Sequence, residues 1–244
     1  MQIVVRETEL VVDGAPMRVR IAAPKARAKF PGVLLYSEIF QLTGPIRRSM
    51  DRLAGHGFVV AAPEIFHRVE APGVVIPYDD AGRDRGLADA KSTFAAEHDR
   101  DRSAVLDLLE TDPAVDPDRL CVMGFCIGGH LALRAAIDPR IKAAVACYPT
   151  GVHNGALGKD ADAGTLGALS LVSASLLIVF GSADPHVPPE GRVRIAEALA
   201  PLGNRLRIEH FPAEHAFMRD EGPRYDPAAS DAVFAAAVAF LSGR

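Results

Sequence analysis

The sequence predicts an α/β fold, a mostly parallel twisted sheet of about eight strands with an antiparallel N-terminal hairpin and helices on both faces. Two observations carry this. Short β-branched runs alternate with longer helical stretches along most of the chain, which is the signature of a parallel sheet covered on both sides. The opening is different: residues 2–11 and 17–23 alternate apolar and polar residues around the turn Asp13-Gly14, as an antiparallel pair with one wet face does. A chain of 244 residues with 49% hydrophobic residues is long enough to bury a core without staples, and it reads as one domain over 1–244.

The elements follow in order. PGVLLYSE, from Pro31, is a near-continuous apolar run expected as a strand buried on both faces, and it delivers Glu38 to a loop. A helix is expected from about Pro45 to Gly55, then a strand over 58–66. Residues 67–90 hold two prolines, three glycines and many charges without clear periodicity, so they read as a long excursion at a strand end. A charged helix is expected from about Lys91 to Leu109, and LCVMGFC at 120–126 as a strand running straight into the apolar helix IGGHLALRAAI. Strands fit 141–148, 175–181 and 205–211; helices fit 188–201 and 228–242, the last with Val233, Phe234, Ala237, Val238 and Leu241 on one stripe.

Composition excludes several functions. A net charge of −4 is unlike a nucleic-acid binder, which gathers a basic surplus on one face. The start MQIVVRETEL is not a secretory leader, and the most apolar run, Leu169 to Phe180, falls short of the ~18 residues of a membrane span. Three cysteines, Cys121, Cys126 and Cys147, cannot all pair and fit a reducing compartment. The expectation is a cytoplasmic monomer or small homo-oligomer that binds neither nucleic acid nor membrane.

The most informative residues are Gly124-Phe125-Cys126-Ile127-Gly128, where a strand meets a helix with no loop between. Such a turn strains its central residue, and the flanking glycines avoid collisions with the neighbouring strand and helix. The central thiol is thereby lifted beside a helix N-terminus. A free thiol of pKa ~8.5 is only partly thiolate at neutral pH, and a helix terminus or imidazolium raises that fraction. The Ile127 N–H is expected to form half of an oxyanion hole, the other half coming from the loop near Ile39. Cys121 and Cys147, inside strands, read as core. In this kind of sheet the acid and then the histidine follow the nucleophile. Asp184, in GSADP after a strand, fits the acid; His215, in FPAEHAF after the last strand, fits the base. His186 is a nearby competitor, while His130 on the buried helix and His210 in a strand read as structural.

These residues resemble the dienelactone hydrolase (carboxymethylenebutenolidase) family of α/β-hydrolases, whose nucleophile is cysteine. The likeness spans nearly the whole chain: GFCIGGH around Cys126, SEIF around Glu38, GSADPHVP and EHAFMRDEGPRYDP. It implies a Cys126-His215-Asp184 triad without metal or organic cofactor, and a Glu38 that keeps the resting thiol neutral. Family members hold the carboxylate of a small enol-lactone with two arginines. One corresponds to Arg219; counting back without gaps gives Arg83 for the other, with Arg85 close by. An arginine pair suits a carboxylate because each planar fork binds two oxygens. Tyr148 is expected to line the same pocket. The expected substrate is a small ester or lactone, most specifically dienelactone or a similar anionic enol-lactone. A broader carboxylesterase or thioesterase is the alternative. A ligand-binding or redox-sensing role for Cys126 is the reading from another class, and the ordered Asp and His count against it. The chain departs from the family in having no Trp and in its distinctive segment 150–170.

Overall fold

A computed structural model describes residues 1–243. Ten-residue strands β1 (Ile3–Val12) and β2 (Ala15–Pro24) pair antiparallel through the expected turn, where Asp13 and Gly14 both take positive φ. Strands β3 (Phe30–Tyr36), β4 (Val59–Pro63), β5 (Val115–Phe125), β6 (Ile141–Cys147), β7 (Ser175–Gly181) and β8 (Leu206–Phe211) are mutually parallel, and β2 joins them antiparallel to β4. The order across the sheet is β1-β2-β4-β3-β5-β6-β7-β8.

Period-2 alternation along each strand sorts side chains into two apolar layers. Leu34, Val122 and Ile178 face helices α3 (Ala95–Thr111), α4 (Ile127–Ala135) and α6 (Pro189–Leu199); Val33, Met123 and Leu177 face α1 (Gly44–Gly55) and α7 (Pro227–Ser242). The predicted α7 stripe is largely the buried one: Val233, Phe234, Ala237 and Leu241 are all inside. Asp226 caps that helix by accepting from the Ala229 N–H at 3.0 Å, with Pro227 at the first helical position, where its missing N–H costs nothing.

The excursion at 67–90 differs from its expectation. Its second half is helix α2 (Asp80–Ala90), capped by Asp79 accepting from Gly82 N–H at 2.7 Å. Its glycines mark close packing rather than loop: a Cβ on Gly82 would sit 2.1 Å from the Pro77 carbonyl oxygen, and one on Gly86 2.4 Å from that of Ile39. The following helix accordingly begins at Ala95 rather than Lys91, where the Glu97 carboxylate accepts from the Phe94 N–H at 2.6 Å. Segment 150–170 contributes an isolated antiparallel bridge between Leu157 and Asp160 and the one-turn helix α5 (Thr165–Ala168), which runs into a 3-10 turn at Leu169–Leu171. Among the described residues no helix is long and apolar enough to cross a membrane.

The sheet places chemistry at one point. The chain runs from β3 outward to β4, then returns to the other side of β3 as β5, so a crevice opens above the carboxyl ends of β3 and β5. Glu38 and Ile39 follow β3, and Cys126 follows β5.

Candidate active site

The turn between β5 and α4 is as tight as its sequence demands. Cys126 has φ 59 and ψ −120, a region costly for a residue with a Cβ, at about 1–3 kcal/mol. A Cβ on Gly124 would lie 1.9 Å from the Gly128 carbonyl oxygen, and one on Gly128 2.4 Å from that of Ser37. Neighbouring backbone holds the strained residue. Its N–H donates to the Cys147 carbonyl at 3.1 Å, and its carbonyl accepts from Gly129 at 3.0 Å. The thiol is half-buried at the start of α4, where the helix dipole favours negative charge. Ile127 is the first residue of that helix, so its N–H is among the donors that intrahelical bonding leaves free. Ile39 lies in the turn after β3, which Gln41 closes by donating to the Glu38 carbonyl at 3.2 Å.

Asp184 and His215 come from loops after β7 and β8. Both are buried, and His215 Nδ1 donates to Asp184 Oδ2 at 2.7 Å. The other Asp184 oxygen accepts from the His186 N–H at 2.7 Å. Burial alone would raise the Asp184 pKa; the hydrogen bond and charge of His215 outweigh it and hold the carboxyl below its usual range. Burial would depress His215, but the adjacent Cys126 sulfur and Asp184 lift it to about 10. Both directions favour a charged ring held against the Asp184 carboxylate. His186 packs its ring edge-on to His215 at 4.5 Å, and burial, followed by the neighbouring His215 charge, holds it below the ordinary histidine value. His130 is fully buried and bonded through both nitrogens, whereas His210 is exposed on β8.

Glu38 is buried, and neither of its oxygens has a hydrogen-bond partner. Burial raises its pKa against the pull of Arg219, whose Nη1 is 3.6 Å from Oε2. Arg219 stacks 4.3 Å over the Tyr78 ring and 5.6 Å from that of Phe40. Thr43 Oγ1 and Tyr78 Oη, 2.6 Å apart, tie that ring to the start of α1. Tyr148, with positive φ, packs edge-on against His215 at 5.1 Å, and with Phe125, Glu38, Met218 and Arg219 it lines a narrow cleft.

The arginine pair does not assemble. Arg83 lies on the exposed side of α2, paired with Asp80 at 3.2 Å and Asp84 at 3.3 Å; Arg85 is tied to Glu70 at 2.5 Å. An ungapped count cannot anticipate this, because a helix commits residues three and four apart to one face. The sequence reading also missed Tyr78 and Thr150. Tyr78 carried no local signal, and Thr150, whose Oγ1 is 3.8 Å from Cys126 Sγ, is 24 residues away along the chain.

Residues 17–243 match the model of the dienelactone hydrolase family. A Saccharomyces cerevisiae protein provisionally named carboxymethylenebutenolidase is 39% identical over 216 residues, covering 85% of this chain and 79% of the relative. A Synechocystis protein with the same provisional name is 31% identical over 214 residues, 87% of this chain and 86% of its own. Among solved structures, a provisionally named dienelactone hydrolase from Klebsiella pneumoniae superposes with a TM-score of 0.85 at 25% identity, covering all of both chains. The chain thus belongs to the dienelactone hydrolase family, α/β-hydrolases that act on ester or lactone bonds.

Proposed function

We propose that the protein opens a small lactone or ester by covalent catalysis through Cys126, His215 and Asp184, most specifically dienelactone or a similar anionic enol-lactone. The observation that carries this reading is the buried His215, held at 2.7 Å by Asp184 on one side and raised by the Cys126 sulfur on the other. Asp184 fixes the ring so that Nε2 serves the thiol. His215 takes the thiol proton, and the thiolate adds to the carbonyl carbon. The amides of Ile39 and Ile127 receive the oxyanion; each such donor typically contributes ~10²–10³ in rate. As the tetrahedral intermediate collapses, the carbon–oxygen bond breaks and His215 returns its proton to the leaving oxygen. In a lactone that oxygen stays tethered to the acyl group. Water, deprotonated by His215, then adds to the thioester, and sulfur leaves with the electron pair. No step calls for a metal or organic cofactor.

In this reading Arg219, set on its two aromatic rings, receives the substrate carboxylate, with Tyr148 lining the pocket beside it. Glu38 opposes thiolate formation through its charge in whatever fraction is ionised, until substrate arrives. Cys126→Ala is expected to lose hydrolysis of dienelactone and of activated aryl esters by at least ~10³-fold; wild-type turnover in that variant would sink the assignment.

One observation favours a broader carboxylesterase or thioesterase. Arg83 and Arg85 are engaged elsewhere, which leaves Arg219 as the arginine lining the cleft, already beside Glu38. The discriminating measurement compares an anionic lactone with its neutral ester in wild type and Arg219→Ala. An anion-selective enzyme loses ~10-fold or more in kcat/KM for the anion alone; equal losses, or none, point to the broader activity.

A further inference from the structure

A chain of hydrogen bonds runs from the far side of α4 to the sulfur of Cys126. Thr150, three residues beyond β6, turns back over the elbow. Its N–H donates to the Cys126 carbonyl at 3.2 Å, and its hydroxyl oxygen lies 3.8 Å from Sγ. The Thr150 carbonyl is 2.9 Å from His130 Nδ1. A carbonyl can only accept, so Nδ1 carries the proton and Nε2 offers a lone pair. Nε2 therefore accepts from the Thr165 hydroxyl at 2.9 Å, and that oxygen accepts from Arg134 Nη1 at 3.2 Å. Arg134 is itself held by both carboxylate oxygens of Asp99, at 2.8 and 2.7 Å.

Every donor in this chain has a matching acceptor, so the tautomer of His130 is fixed. Burial, outweighing the bond to Thr150, also pushes its pKa down to about 3, so the ring stays neutral. The approach is close enough that Gly151, with φ +76, admits no side chain. A Cβ there would sit 2.2 Å from the Ala156 carbonyl oxygen and 3.3 Å from His130 Nδ1.

We propose that Thr150 is a catalytic residue of the thiol site, its hydroxyl donating to the Cys126 sulfur whenever that sulfur is anionic, and that His130 is the positioning residue that holds it there. The inference rests on the reading of Cys126 as nucleophile. While the thiol is protonated, either group can donate. Once the proton has moved to His215, only the hydroxyl can. Sulfur is anionic twice in the cycle: after its proton has moved to His215 and before attack on the carbonyl, and on leaving the thioester, when the carbon–sulfur bond breaks with its electrons going to sulfur and the proton of water goes to His215. A hydroxyl that binds thiolate better than thioester favours both moments.

The test compares Thr150→Val, which keeps the shape and loses the hydroxyl, with Thr150→Ser, which keeps the hydroxyl. Iodoacetamide alkylation across pH reads Cys126, because burial raises the thiols of Cys121 and Cys147 out of reach. The groups around that sulfur, His215 with Asp184 behind it, Tyr148, Glu38, Arg219, His186 and Arg224, are common to both variants. In Thr150→Val the apparent pKa of alkylation is expected to rise by about half a unit to one unit, and thioester hydrolysis to slow roughly three- to tenfold, with Thr150→Ser close to wild type. His130→Asn, whose amide can still donate to the Thr150 carbonyl, should keep the wild-type profile, and His130→Ala should shift it as Thr150→Val does. A wild-type alkylation profile in Thr150→Val overturns the proposal. Alkylation needs no substrate, so failure of the hydrolytic reading would show separately, as hydrolysis surviving in Cys126→Ala.

Discussion

Glu38 concentrates the tension of the site in one residue. A carboxylate buried without hydrogen bonds is destabilised as an anion, and the balance still favours the proton after Arg219 has been counted. The folded state therefore holds the Glu38 proton to higher pH than the unfolded chain does. Where the native state binds more protons, stability falls as pH rises. The loss begins near the ordinary value of 4.5 and continues up to the raised folded one. Glu38→Gln removes this dependence. Its melting temperature, followed by thermal unfolding, should match wild type near pH 4 and exceed it by a widening margin toward neutrality; a constant gap would mean that Glu38 is not held protonated. Residues such as Cys126 were legible because their constraints are local: two glycines and a strand–helix junction lie within five positions. Thr150 was not, since its contact with sulfur exists only after β6 returns beside β5. The arginine partner failed for a related reason, its position being set by the face of a helix that the sequence did not announce.

At the scale of elements, α2 is the case where composition misleads. Gly82 and Gly86 lower helix propensity by about 1 kcal/mol each relative to Ala, and the segment has no apolar stripe, so it reads as loop. Packing decides otherwise, since both glycines let α2 touch backbone carbonyls, one of them in the Ile39 turn. This contact couples α2 to the expected oxyanion donor. Gly86→Ala should push the turn away, costing about 1–3 kcal/mol of stability and roughly tenfold in kcat on an activated aryl ester. Gly167→Ala, where a Cβ meets nothing within 4 Å, serves as the neutral control. If Gly86→Ala melts and turns over like that control, α2 does not brace the turn. The strands and α7 were legible because their patterns repeat over many residues and agree with their burial.

For the molecule as a whole, both apolar layers depend on one sheet. Leu177 and Ile178 are adjacent and fully buried, yet they point into opposite layers. Truncating either to Ala should cost about 2–5 kcal/mol. Because each strand contributes to both layers, urea unfolding should remain a single transition in both variants, coincident by far-ultraviolet circular dichroism and tyrosine fluorescence. Separate transitions for the two probes would show that the layers come apart independently. Alternation of strands with helices made this architecture legible, while the strand order, which opens the crevice between β3 and β5, had to be read from the structure.

The hairpin that begins the chain also sets where the sheet stops. β1 is an edge, and its free backbone groups could template a strand from another copy. Its middle reads Arg6-Glu7-Thr8-Glu9. Antiparallel self-pairing centred on Glu7 sets that glutamate against its own copy, and pairing centred on Thr8 sets Glu7 against Glu9, both with like charges directly opposed. Arg6, which could relieve them, is held by Asp112. Strand-by-strand growth from this edge is thus discouraged by charge, so the exposed Val4 and Val5 can remain in water without nucleating a fibre.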